Sequence, residues 1–208
     1  MANLGPINKR LKSLGRADLP ADVQAAVDQL ASENAMLRAS RAAMQERVDE
    51  LEESTERDAL TPLPNRRYFL RALERTVSKV DRHGTEAALL FIDLDDLKGI
   101  NARHGQVTGD AVLIHVAKTL SGLIRSSDLL ARVGGDEFGL ILDHLDHNSA
   151  IDTAERIGRY IAQTPLDRGD GEIHVAASIG VAGIMAGDRV EEILVRADHN
   201  LRRARALD

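Results

Sequence analysis

The run from Ala21 to Arg57 contains neither Gly nor Pro, and no other feature of the sequence restricts the fold so sharply. Its wealth of Ala, Glu, Leu and Arg favours one long helix. Val27, Asn34, Arg41 and Val48 fall seven apart at one seam position (a), and Val23, Leu30, Leu37, Met44 and Leu51 at the other (d). A sustained heptad keeps its seam turned toward a second helix, and Leu at d favours two strands. In this register Glu33 faces Arg38 of a parallel partner, and Arg47 faces Glu52, both attractive pairings. Asn34 would meet its own copy across the axis, at some cost in stability but with a gain in register. The pattern therefore predicts a parallel dimeric coiled coil, in preference to a lone amphipathic helix packed on its own domain.

Two prolines in Asp58-Ala-Leu-Thr-Pro-Leu-Pro-Asn65 stop that helix and mark a domain boundary. The organisation expected is a short basic segment over 1–20, a dimerising helix over 21–57 and a globular domain over 58–208. A chain of 208 residues has room for one domain of ordinary size plus such an extension. With 43% hydrophobic and 29% charged residues it can build a core. Aromatics at 2% leave few platforms for stacking bases, and a net charge of −6 is wrong for a phosphate-backbone binder, so nucleic acid is not an expected partner. The absence of cysteine excludes disulfides, cysteine zinc sites and thiol catalysis, and fits a reducing compartment. The longest apolar and small stretch, Val175 to Gly187, is too short to span a membrane, and the N-terminus lacks a signal-like apolar region, so the expectation is cytoplasmic. Lys9, Arg10, Lys12 and Arg16 lie beside Ile7, Leu11 and Leu14, but Gly5, Pro6 and Gly15 limit any helix there and favour a solvated tail.

Beyond the prolines, helical spacing appears from Arg66 to Asp81, Gly109 to Arg125, Ala150 to Ala162 and Val190 to Ala206. Ala87 to Ile92 reads as a buried strand with Asp93, Asp95 and Asp96 at its tip. Leu129 to Val133 and Glu137 to Leu142 flank Gly134-Gly135 as a hairpin, and His174 to Ala182 is a further strand. This is an α/β (α+β) sandwich, expected to leave one sheet face open. Pairing the Asp93 strand with the hairpin brings Asp93, Asp136 and Glu137 together, a hard-oxygen set suited to Mg²⁺. An exposed hairpin tip is the bland account of Gly-Gly-Asp-Glu alone.

Gly134-Gly135-Asp136-Glu137-Phe138 resembles the signature of the GGDEF family, the diguanylate cyclases that join two GTP molecules into cyclic di-GMP. Similar segments recur in family order: Asp58-Ala-Leu-Thr61, Leu63-Pro-Asn-Arg-Arg67, Asp93-Leu-Asp95 with Lys98 and Ile100-Asn101, Gly109-Asp110, Ser178-Ile-Gly-Val181 and Ala197-Asp198. The resemblance covers Asp58 to the C-terminus and implies a palm-like nucleotidyl-cyclase sandwich with a mostly antiparallel sheet flanked by helices.

It further implies that Asp93, Asp136 and the Leu94 carbonyl hold Mg²⁺ or Mn²⁺, with Glu137 as a further ligand or as proton acceptor. Asn101 and Asp110 would read guanine, since a carboxylate accepts from N1–H and N2–H, donors that adenine lacks. Lys98, the amides of Asp96 and Leu97, and Arg205 would hold phosphates. Arg125 and Asp128, in an Arg-x-x-Asp placement before Gly134, resemble the family's inhibitory site for cyclic di-GMP. Each GTP attacks the other, so a homodimer is implied, which the coiled coil would assemble. Blander roles are helix caps for Asn101 and Asp110, a solvated charge for Lys98, and a helix-ending Arg125 with Asp128 opening the next strand.

Pro62, Leu97 and Ala102 depart from the family's usual Gly, Phe and Asp. Near the C-terminus Asn200, Arg202 and Arg205 replace Ala, Tyr and Lys, and a later phosphate-binding Arg has no counterpart. The competing expectation is therefore a catalytically weak or silent member that binds GTP or cyclic di-GMP and signals through a partner.

Overall fold

The computed structural model describes residues 21–53, 56–169 and 171–206. The basic cluster at Lys9 to Arg16 lies outside them. The chain divides into two units, Met1–Ser54 and Thr55–Asp208. In the first, helix α1 (Ala21–Glu53) follows from the run free of Gly and Pro. Its seam residues Val23, Leu30, Leu37 and Met44 are exposed in the single chain, from 41% to 70%. No helix among the described residues is long and apolar enough to cross a membrane.

The expected extension of α1 to Arg57 does not occur. Glu56 and Arg57 belong to the second unit, where Arg57 bridges to Pro64 and donates to the Pro62 carbonyl. Glu56 pairs with Arg71 and accepts from the Asn65 amide. The prolines thus close a turn whose other side is made by the residues just before them.

That unit contains α2 (Arg66–His83), β1 (Ala87–Leu94), α3 (Leu97–His104), α4 (Gln106–Ser121), β2 (Leu129–Arg132), β3 (Glu137–Asp143), α5 (His147–Ala162), a small hairpin β4 (Leu166–Asp167) and β5 (Glu172–Ile173), β6 (Ala177–Ile184) and α6 (Val190–Arg205). The sheet order is β2-β3-β1-β6, antiparallel throughout. Asn65 caps α2 through the Tyr68 amide, and Gly84 ends it in the left-handed region.

Both faces of the sheet are covered, which corrects the expected open face. Leu90, Ile92 and Leu94 of β1 pack with Val112, Val116 and Leu120 of α4 and Ile157 of α5. Leu89 and Ala87, on the opposite face, pack with Phe69, Leu73 and Val77 of α2 and Ile193 and Ala197 of α6. A strand apolar on both faces requires cover on both, and β1 is buried almost without interruption. Gly180 permits the second layer to approach: a Cβ there would overlap the backbone of α6 at Ala197 and Leu201.

The Asp95 N–H donates to the carbonyl of Ala176, directly opposite it, so alternation turns the peptide groups of Val181 and Gly183 away from β1 and toward the outer edge. Side chains of α6 meet them there. Asn200 Nδ2 donates to Val181 O at 2.8 Å and Arg196 Nη2 to Gly183 O at 2.8 Å. Asn200, unusual for the family pattern, thus has a bonding role at the sheet edge.

Candidate active site

Antiparallel pairing of β1 and β3 sets Asp93 opposite Glu137, while Leu94 N–H donates to Asp136 O at 3.1 Å. The ladder itself therefore delivers the three carboxylates to one end of the sheet. Asp93, Leu94, Asp96, Leu97, Lys98, Asp136, Glu137 and Arg205 line a cleft of about 380 Å³. Asp93 is 3% exposed, and its Oδ1 is enclosed with no hydrogen-bond donor directed at it, although the Arg205 guanidinium lies against it as an ion pair. Burial pushes the Asp93 carboxyl up to about 6; Arg205 opposes the rise, and Asp136, Glu137 and Asp95 add to it.

A buried carboxylate oxygen without a directed donor, crowded by like charge, fits a hard divalent cation. The side chains are not gathered into a finished cage: among the described residues no three His, Asp or Glu groups converge tightly enough for one. Glu137 is exposed, and its carboxylate folds back over Gly134, where a Cβ would meet it.

Asn101 and Asp110 line a neighbouring pocket of about 440 Å³ with Gln106, Leu113, Arg132 and Gly135. Leu97, Lys98 and Asp136 border both cavities, so the two adjoin. Neither Asn101 nor Asp110 caps a helix; the caps of α3 and α4 are Asp96 and Gly105. Asn101 Oδ1 is buried without a partner and packs on Gly109, where any Cβ would overlap it. Lys98 is exposed, but at the shared border rather than on a remote surface. Asp96 takes a left-handed φ of 52° and accepts from Gly99 N–H at 3.1 Å, so the chain bends sharply into α3 at the expected phosphate turn.

Arg125 and Asp128 form one turn: Arg125 N–H donates to Asp128 Oδ2 at 2.9 Å and Asp128 N–H returns to Arg125 O at 3.1 Å. Helix α4 ends at Ser121, so Arg125 does not end a helix. The pair borders a cavity of only about 40 Å³ with Asp143 and Arg156. A dinucleotide would have to lie over this surface rather than within it.

Residues missed by the sequence reading are Gln106, Arg132 and Arg156. Arg132 donates to Gly135 O from Nε at 3.2 Å and Nη2 at 2.6 Å, and from Nη1 to Asp58 Oδ1 at 3.1 Å. It thereby joins the entry of the domain to the turn bearing Asp136. Burial pushes the Asp58 carboxyl up, but hydrogen bonds from Thr61 and the Arg132 pair outweigh it and leave the group below its ordinary value. Arg132 lies two residues before Gly134, the only sequence signal that could have singled it out.

The GGDEF domain of diguanylate cyclases matches residues 55–207. The chain belongs to the GGDEF family. Diguanylate cyclase TpbB of Pseudomonas aeruginosa is 37% identical over 180 residues, covering 84% of this chain and 39% of that protein. The chain thus spans about two-fifths of the length of this curated GGDEF relative. Diguanylate cyclase SiaD of P. aeruginosa, solved with its activator SiaC, superposes with a TM-score of 0.70 at 29% identity, covering 98% of this chain and 80% of that one. The coiled coil and GGDEF domain of DgcB from Caulobacter crescentus, solved with c-di-GMP, gives 0.70 at 26% identity, covering 85% and 94%.

Proposed function

We propose that this protein is a diguanylate cyclase that condenses two GTP into cyclic di-GMP with release of two pyrophosphates. The observation that carries the reading is the adjoining of the two cavities: carboxylates of the cleft and the Asn101–Asp110 pocket meet across Leu97, Lys98 and Asp136. A nucleotide whose base enters the second pocket can lay its phosphates in the first. The unpartnered Asn101 oxygen and the Asp110 carboxylate are acceptors, which suits the N–H edge of guanine. Lys98 and the amides of Asp96 and Leu97, at the turn into α3, would hold the phosphates.

Asp93, Asp136 and the Leu94 carbonyl would hold Mg²⁺ or Mn²⁺, which when bound neutralises these carboxylates and polarises the phosphorus under attack. Glu137, exposed beside the cleft, can turn toward a 3′-hydroxyl and accept its proton. One domain holds one GTP, so the attacking hydroxyl comes from the site of a second copy. The exposed heptad seam of α1 supports a tether for that copy, with this helix as the dimerising segment. Product lying over Arg125, Asp128 and Arg156 would restrain the enzyme. The coiled coil and the bound c-di-GMP of DgcB support both points.

Purified protein incubated with GTP and Mg²⁺, then resolved by chromatography, tests the reading. Cyclic di-GMP should form from GTP and not from ATP, and Asp136→Ala or Glu137→Ala should abolish turnover without shifting the melting temperature. Absence of product, or undiminished turnover in both variants, would remove the proposed site.

A further inference from the structure

Arg205 extends the buried stripe of α6. Ile193, Ala197 and Leu201 recur every fourth residue and pack against the sheet, and one further step brings Arg205 over the end of β1, against Asp93. A stripe that is apolar for three turns thus ends in a guanidinium set on an almost completely enclosed carboxylate. The pairing is unequal in exposure: the Asp93 side chain is 4% exposed, that of Arg205 44%. Arg205 therefore reaches in from the rim with its stem free to swing.

We propose that Arg205 is a tethered counter-ion that occupies the cation site between turnovers and yields it more readily to metal and triphosphate together than to metal alone. This rests on the metal reading of the Asp93 cleft. Besides Asp93, the cleft presents Asp96, Asp136 and Glu137, against the cations Lys98 and Arg205. A guanidinium cannot be discharged by losing a proton near neutrality, so only another cation can take its place on Asp93. A divalent ion alone must displace Arg205 into solvent. With a triphosphate present, the displaced fork finds phosphate oxygens at the same rim, which it can grip through two parallel hydrogen bonds. Metal and nucleotide therefore assist one another through a single side chain that changes partners, and either ligand alone binds at a disadvantage. Arginine suits this exchange better than lysine, because its fork matches carboxylate and phosphate equally.

The test is Mn²⁺ alone, titrated into the nucleotide-free full chain and followed by the loss of the free-ion electron paramagnetic resonance signal. Arg205→Gln should bind Mn²⁺ about tenfold more tightly than wild type, equivalent to about 1.4 kcal/mol. Arg202→Gln makes the same charge change on the same helix, but Arg202 pairs with Asp198, so its Mn²⁺ affinity should equal wild type. Arg205→Lys retains the charge and should stay within a few-fold of wild type, which provides a folded comparison if the glutamine variant melts early. Equal or weaker Mn²⁺ binding by Arg205→Gln, or equal gains in the Arg202 and Arg205 variants, would overturn the proposal while leaving the metal site intact. Undiminished Mn²⁺ binding after Asp93→Asn would place the ion elsewhere and overturn the metal reading together with it.

Discussion

Replacing Arg132 with methionine should separate what holds the domain together from what holds its signature turn in shape. The Arg132 and Asp58 side chains are 13% and 18% exposed, so their pairing is largely sheltered from solvent. Breaking a buried pair by removing one partner costs about 3–5 kcal/mol when the other is left bare. Asp58 is not left bare, since it retains hydrogen bonds from Leu60 N–H, Thr61 N–H and the Thr61 hydroxyl. The expected loss is therefore about 2–3 kcal/mol, or about 5–10 °C in melting temperature for a domain of this size. Gly135 O also loses both of its guanidinium donors, which frees the turn carrying Asp136. Turnover of GTP at 20 °C, far below either melting point, should fall by about tenfold or more, equivalent to about 1.4 kcal/mol of lost positioning. Asp58→Asn is the control: it weakens the pair but leaves Arg132 on Gly135, so it should melt lower by a few degrees and keep most of its turnover. Thermal melts by circular dichroism and product formation at fixed temperature measure the two quantities. A methionine variant that melts within 2 °C of wild type, or that melts early yet turns over GTP at the wild-type rate, would refute the reasoning.

Gly109→Ala should raise the KM for GTP by about tenfold with little change in fold, because its Cβ would push Asn101 Oδ1 out of the base pocket; steady-state kinetics with circular dichroism checks this. Leu30→Glu with Leu37→Glu should convert a dimer into a monomer in light scattering, and make specific activity rise with protein concentration, since both side chains stand exposed on one seam. The paired Arg196 hydrogen bonds hold the Asp188 carboxyl below its ordinary value of 3.8, which burial alone would raise. The unfolded chain then takes up the proton first as pH falls, so this stabilisation is present above pH 3.8 and disappears below it. Melts of wild type and Asp188→Asn should accordingly differ at pH 6 and converge toward pH 3, and a constant difference would contradict the assignment.

Local pattern was enough to read a buried strand at Ala87 from its continuous apolar run, and a hairpin around Gly134-Gly135. Double cover itself went unread, because it depends on where α2 and α6 return in space. Helix α3 also escaped: only Leu97 and Ile100 of its eight residues are buried, and its limits are set by the left-handed Asp96 and by Gly105 rather than by a repeating stripe. The same helix moves the start of α4 back to Gln106, three residues before the expected Gly109. The last strand runs from Ala177 to Ile184 instead of His174 to Ala182, since its bounds follow the pairing with β1. At the site, motif order pointed to the carboxylates and to Asn101 and Asp110, which share a pocket, while Arg132 reaches across 74 residues to Asp58 and leaves no periodic trace. Arg156 is hidden for the same reason, as one of two arginines on α5 until folding brings it to the cavity that Arg125 borders.

The outer edge of β6 bears on how such a protein behaves when crowded. A foreign strand adding to an exposed edge needs amides and carbonyls in alternation, and here Asn200 and Arg196 already hold the carbonyls of Val181 and Gly183. What remains at those positions is a row of donors that an incoming backbone can match only halfway. Were two domains tethered through the α1 seam as proposed, they would sit at high local concentration, the circumstance in which exposed sheet edges join. Helix α6 thus serves as a guard against aggregation, and changing Asn200 to the family's usual alanine would leave the edge more adhesive.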